Sequence, residues 1–174
     1  MGLLEQYPAL GSFLEHWRAL PREGLVPTLG AYLDNPPVAL QPNVAISDLV
    51  SADDTTIRLM GTALAHAVGE RTGTDIKDSY GKDIARYVRK LAWTGVSHPA
   101  GFLARRGFAR TQGLPYTLQT ITLPLIGKSV RHCVVTYFGL DYRDSRNNDP
   151  KWLDQSVGCE LQGWVDIGAG IPKD

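Results

Sequence analysis

Along the first twenty positions apolar residues recur at helical spacing. Leu3, Tyr7, Leu10, Leu14 and Trp17 fall at steps of four, three, four and three, which sets them on one helical stripe. Pro8 cannot lie deep inside a helix, because it lacks an N–H and clashes with the preceding turn. Two starts therefore compete: Pro8 at the first helical position, or Ser12 as N-cap with Glu15 completing a capping box. Pro21 closes the segment, and Pro27, Pro36, Pro37 and Pro42 impose extended or turning backbone. Residues 1–42 thus read as a helical, proline-rich arm.

From Asn43 the period changes. Val44 and Ile46 share a face, Ser51-Ala52-Asp53-Asp54 reads as a turn, and Thr55 to Met60 returns as a second strand. Thr62 is placed to cap a short helix, Ala63 to Val68, which Gly69 stops in the left-handed conformation. A turn at Thr72-Gly73-Thr74-Asp75 leads into a brief helix near Ile76. The clearest helix follows, with Ile84, Tyr87, Val88 and Leu91 on one face and Lys82, Arg86, Arg89 and Lys90 on the other. It is expected to end near Thr94-Gly95. Three strand-like runs come next, Gly101 to Arg110, Tyr116 to Leu125 and Arg131 to Tyr142, with turns at Gln112-Gly113 and Gly127-Lys128. Two strands, a group of helices and three more strands predict an α+β layer structure on an antiparallel sheet. Residues 43–142 would form this core. Residues 143–174 are polar and Gly-rich, and Trp152 and Trp164 suggest a tail packed on the core or on a partner subunit.

That order is the order of a PAS domain, a five-stranded antiparallel sheet with its helices between strands two and three. The chain resembles a family of short stand-alone PAS-like proteins of alphaproteobacteria. The residues that carry the resemblance are Phe13-Leu14-Glu15-His16-Trp17-Arg18, Val26-Pro27, Leu33-Asp34-Asn35-Pro36, Leu40-Gln41-Pro42, Ile57-Arg58-Leu59-Met60-Gly61-Thr62, Gly69, Thr72-Gly73 and His98-Pro99. The likeness covers about residues 10 to 142, and the order and spacing of these motifs carry more weight than any one of them. The resemblance implies a sensory or regulatory module that holds a small ligand between sheet and long helix.

Composition narrows the classes. The 174 residues carry 18 basic and 18 acidic side chains, a balance that argues against nucleic acid or an anionic membrane as main partner. No apolar run approaches a membrane span, and the first residues do not read as a secretory signal. Two cysteines, Cys133 and Cys159, need no bridge, and a reduced cytoplasmic setting is expected.

Haem-binding PAS proteins place a histidine on the long helix; here Lys82 to Trp93 contains none, and Tyr87 is the sole alternative. Flavin photoreceptor relatives need a cysteine in an Asn-Cys-Arg-Phe context, which is missing. Haem and flavin are therefore not expected, nor is any other cofactor. No pair among His16, His66, His98 and His132 has metal-ligand spacing. Asp144, Asn147, Asn148 and Asp149 imitate a calcium loop without its glycine and closing glutamate. No nucleophile elbow, phosphate loop or dinucleotide fingerprint is present, so no catalytic residue is assigned.

The primary expectation is a non-catalytic sensory or regulatory module. Its ligand would touch Leu59, Leu64, Val68, Ile84, Tyr87, Val88, Leu91, Phe102, Leu118, Thr136 and Phe138, although the same residues would equally make a filled core. Its output would pass to a signalling protein partner. Leu3, Tyr7, Leu10, Leu14 and Trp17 must be covered, either by their own sheet or by the same helix of a second copy; a homodimer is the favoured expectation. Two alternatives come from other classes. One is a small isomerase- or dehydratase-type enzyme using His66 with Tyr87 or Asp75. The other is a binder of nucleic acid or an anionic partner through Arg86, Arg89, Lys90, Arg105, Arg106 and Arg110.

Overall fold

A computed structural model describes residues 2–110, 114–140 and 152–173. The helices are α1 (Leu3–Gln6), α2 (Pro8–Ala19), α3 (Leu29–Asp34), α4 (Thr62–Val68) and α5 (Lys82–Ser97). The strands are β1 (Val44–Ser51), β2 (Asp54–Met60), β3 (Ala100–Arg110), β4 (Tyr116–Ile126), β5 (His132–Phe138) and β6 (Leu153–Asp166). All pairings are antiparallel, in the order β2-β1-β5-β4-β3-β6. The first five strands, with α4 and α5 inserted between β2 and β3, make the PAS-like α+β arrangement expected from the sequence. The expected turn at Gln112-Gly113 and the calcium-loop imitation at 144–149 lie outside the described residues.

β6 is the departure from a five-stranded sheet. It runs along β3 from Arg110↔Leu153 to Ala100↔Asp166, interrupted by three register shifts. Those irregularities, with Gly158 and Gly163 inside the strand, break the apolar alternation that would have announced it. Both tail tryptophans dock on the core: Trp164 meets Phe102 edge-on at 5.8 Å, and Trp152 meets Tyr116 at 5.1 Å.

The two faces of the sheet are covered by different parts of the chain. On one face α2 delivers Leu10, Phe13, Leu14 and Trp17 onto Ile46, Ile121, Leu123, Val135 and Tyr137. Pro8 occupies the first helical position of α2, so the Ser12 start is not used. Trp17 is fully buried, and its indole N–H donates to the Pro124 carbonyl at 3.0 Å. Pro124 lies beyond Thr122, where the β3 pairing has ended, so its missing N–H breaks no ladder bond there. Of the two covers expected for this stripe, its own sheet takes three of the five residues. Leu10, Leu14 and Trp17 are sealed under their own sheet, leaving half-buried Leu3 and exposed Tyr7 to any second copy.

On the opposite face α5 packs by small residues. Its buried positions are Ala85, Val88, Leu91, Ala92, Gly95 and Val96, a stripe rotated from the one expected. Tyr87 lies outside it and is 37% exposed. Gly95 sits within the helix, not at its end, because a Cβ there would come 2.8 Å from the Ala100 carbonyl. Gly61 has a similar duty: a Cβ would lie 2.4 Å from the carbonyl oxygens of both Gln41 and Pro42. Gly61, not Thr62, is the N-cap of α4, and Gly69 ends that helix with φ 86°.

Candidate functional site

A bulge in β2 decides which residues reach the space under α5. Ile46 pairs with Leu59 but Ser47 pairs with Ile57, so the register skips one residue at Arg58. Above the bulge Leu59 packs toward α2, on the wrong face for a ligand; beyond it Ile57 turns toward α5. The sheet, α4, the short 3₁₀ turn Ile76–Asp78 and α5 then enclose a cavity of about 70 Å³.

Six of the expected ligand contacts line this cavity: Leu64, Val68, Val88, Phe102, Thr136 and Phe138. Leu59, Ile84, Tyr87, Leu91 and Leu118 do not. Leu91 packs on Phe102 and Ala104, Leu118 is buried in the cluster around Phe108 and Tyr116, and Ile84 lies at the edge of the Ile57–Val88 cluster. Sequence reasoning missed Ala45, Ile57, Met60, Ile76, Ala92, Phe108 and Val134, together with the polar wall of Ser47, Thr55, Ser79, Tyr80, Arg106 and Thr122. Arg71 and Asp154 complete the lining.

Arg106 is the unexpected member. It follows Phe102 and Ala104 at two-residue spacing and precedes Phe108, so strand alternation alone puts it on the buried face. It is 2% exposed, and its guanidinium stands over the Tyr80 ring at 5.8 Å. Its Nε and Nη1 have no hydrogen-bond partner among the described residues. Thr55 Oγ1 and Ser79 Oγ, in the same wall, are also buried and unpaired, whereas the Thr122 and Thr136 hydroxyls satisfy each other at 2.9 Å. A wider depression of about 900 Å³ beside Pro21, Leu25 and Ile126 is open to solvent, and none of the unpaired buried atoms lies in it.

The other candidate groups are dispersed. Arg89 pairs with Asp75, Arg105 with Glu160 and Arg86 with Asp83. Arg110 lies over the rings of Tyr116 and Trp152. Arg106, expected in the basic patch, is buried instead. His66 is exposed and, like Tyr87 and Asp75, does not line the cavity, so the pair expected for an enzyme does not form there. No cluster of three metal-ligating side chains occurs among the described residues.

Neither cysteine lines the cavity. Cys133 is buried on the α2 face and donates its S–H to Asp48 Oδ1 at 3.1 Å. The same carboxylate takes Arg58 at 2.9 Å from Nε and 2.6 Å from Nη2, and that bond raises the Arg58 pKa. Burial, reinforced by the Asp48 hydrogen bond, pushes the Cys133 thiol up to about 12 from an ordinary 9.0. A folded pKa above the unfolded one means that the unfolded chain loses its proton first. Stability should therefore fall as pH rises above about 9, by at most about 1.4 kcal/mol per unit, until the folded thiol titrates. Urea melts between pH 8.5 and 10 would read this slope, and Cys133→Ala should flatten it; an unchanged slope would mean that Cys133 is not its source.

No family model matches the chain, and no curated protein does. Several solved structures are similar to it, two of them as follows. One is an RNA-binding light-oxygen-voltage receptor, with TM-score 0.44 and 17% identity, covering 71% of this chain but only 37% of that one. The other is a fungal LOV domain photoreceptor, with TM-score 0.44 and 16% identity, covering 79% of this chain and 96% of that one. No described helix is long and apolar enough to cross a membrane.

Proposed function

We propose that this chain is a non-catalytic sensory or regulatory module that binds a small molecule under α5 and passes the change to a protein partner. The observation that carries this reading is the cavity. Sheet, α4 and α5 leave it unfilled although the surrounding strands are tightly packed, and native interiors tolerate few such voids. Its lining is mainly apolar with a few convergent polar groups, the usual constitution of a ligand site. The resemblance to stand-alone PAS-like proteins points the same way. The reading needs no haem, flavin or metal.

A ligand has a physical route to the rest of the molecule. β1 and β5 carry cavity residues on one face (Ala45, Ser47, Val134, Thr136) and, in alternation, residues packed on α2 on the other (Val44, Ile46, Val135, Tyr137). Displacement of either strand is thus felt by the arm.

Native mass spectrometry of the purified chain tests the reading. A small-molecule adduct is expected on the wild type and should be lost in Ala92→Phe, which puts a ring into the cavity from α5. A wild type without an adduct that also ignores a panel of small organic probes in thermal melts would sink it.

A further inference from the structure

The cavity collects buried polar atoms that nothing among the described residues satisfies. Nε and Nη1 of Arg106, Thr55 Oγ1 and Ser79 Oγ are four of the eight such side-chain atoms, and all belong to its wall. A buried polar group without a partner is a large desolvation debt, and native proteins leave few of them. The debt is greatest for Arg106, which stays charged in any protein environment. All four atoms can donate a hydrogen bond, so what they lack in common is an acceptor, and Arg106 lacks a negative one.

We propose that the cavity takes a small aliphatic monocarboxylate, with Arg106 as its counter-ion. This rests on the ligand-binding reading above and specifies its chemistry. Charge balance selects the monoanion. Asp154 and Arg71, the other charged side chains of the lining, are solvent-reached and of opposite sign. Arg106 therefore supplies the single uncompensated charge inside. A dianion such as phosphate would leave an unpaired negative charge among Phe102, Phe108 and Phe138, which costs several kcal/mol per ion. Size selects the tail. About 70 Å³ holds roughly five water-sized positions, which suits a carboxylate on a chain of about three or four carbons.

Titrations of the full chain with butyrate, butyramide and inorganic phosphate, followed by ligand-observed NMR, test the proposal. Butyrate should bind at least about tenfold tighter than butyramide, the ratio expected for one charge-assisted hydrogen bond. Arg106→Met should remove that preference, with circular dichroism confirming the fold. Arg106→Gln keeps donors without the charge and serves if the methionine variant does not fold. Equal binding of butyrate and butyramide, butyrate binding retained in the folded variants, or phosphate binding more tightly than butyrate would each overturn the inference. If butyramide alone binds, the cavity reading survives and the counter-ion falls. If neither probe binds and the organic panel also fails, both fall together.

Discussion

Trp17→Ala should lower the stability of the isolated chain by about 3–5 kcal/mol, the range for removing a large buried aromatic side chain. The indole is fully enclosed, stacked under the Arg22 guanidinium at 4.8 Å and bonded to the Pro124 carbonyl. Its loss would empty the centre of the α2 face and leave that carbonyl with no partner from α2, a further penalty of about 1 kcal/mol. Urea unfolding reads the change as a lower midpoint at unchanged slope. Because every contact is made within one chain, the loss should not vary with protein concentration. Tyr7→Ala, on the same stripe but exposed, should change stability by only about 0.5 kcal/mol. A Trp17→Ala loss under about 1 kcal/mol, or one that grows on dilution, would mean that α2 is a docking arm rather than half of the core.

Helical spacing made the apolar stripe of α2 visible from the sequence but not its partner, since burial by a sheet and burial by a second copy demand the same residues. The PAS-like order was visible because each strand is bounded by residues that break it, such as Gly127 and His98-Pro99. Residues under α5 were half visible. Counting large side chains found Val88, Phe102 and Phe138 but promoted Tyr87, because the helix approaches the sheet through Ala85, Ala92 and Gly95, which carry little hydrophobic signal. Leu59 was misplaced by the bulge at Arg58: a one-residue slip reverses every side chain beyond it, and no local pattern announces the slip. β6 was hidden for a related reason, its ladder being broken three times along β3.

Arg106 was legible and overlooked, since its charge drew it into a surface patch while its two-residue spacing from Ala104 and Phe108 placed it inside. That position has a thermodynamic consequence separate from any ligand. A buried guanidinium whose one partner among the described residues is the ring of Tyr80, at about 0.5–2 kcal/mol, is worse for the empty protein than an apolar side chain of similar length. Arg106→Met should therefore raise the stability of ligand-free protein by about 1–4 kcal/mol, as when buried charges are replaced by well-packed apolar groups. For a chain of this size each 1 kcal/mol moves the melting temperature by about 2–4 °C, so calorimetry of extensively dialysed protein would detect the gain. The opposite result, a loss of 3 kcal/mol or more, would show that the guanidinium has a strong internal partner in solution and that the wall of the cavity is already satisfied. A gain would mark Arg106 as a residue kept against stability, which is the signature expected of a group retained for what it binds.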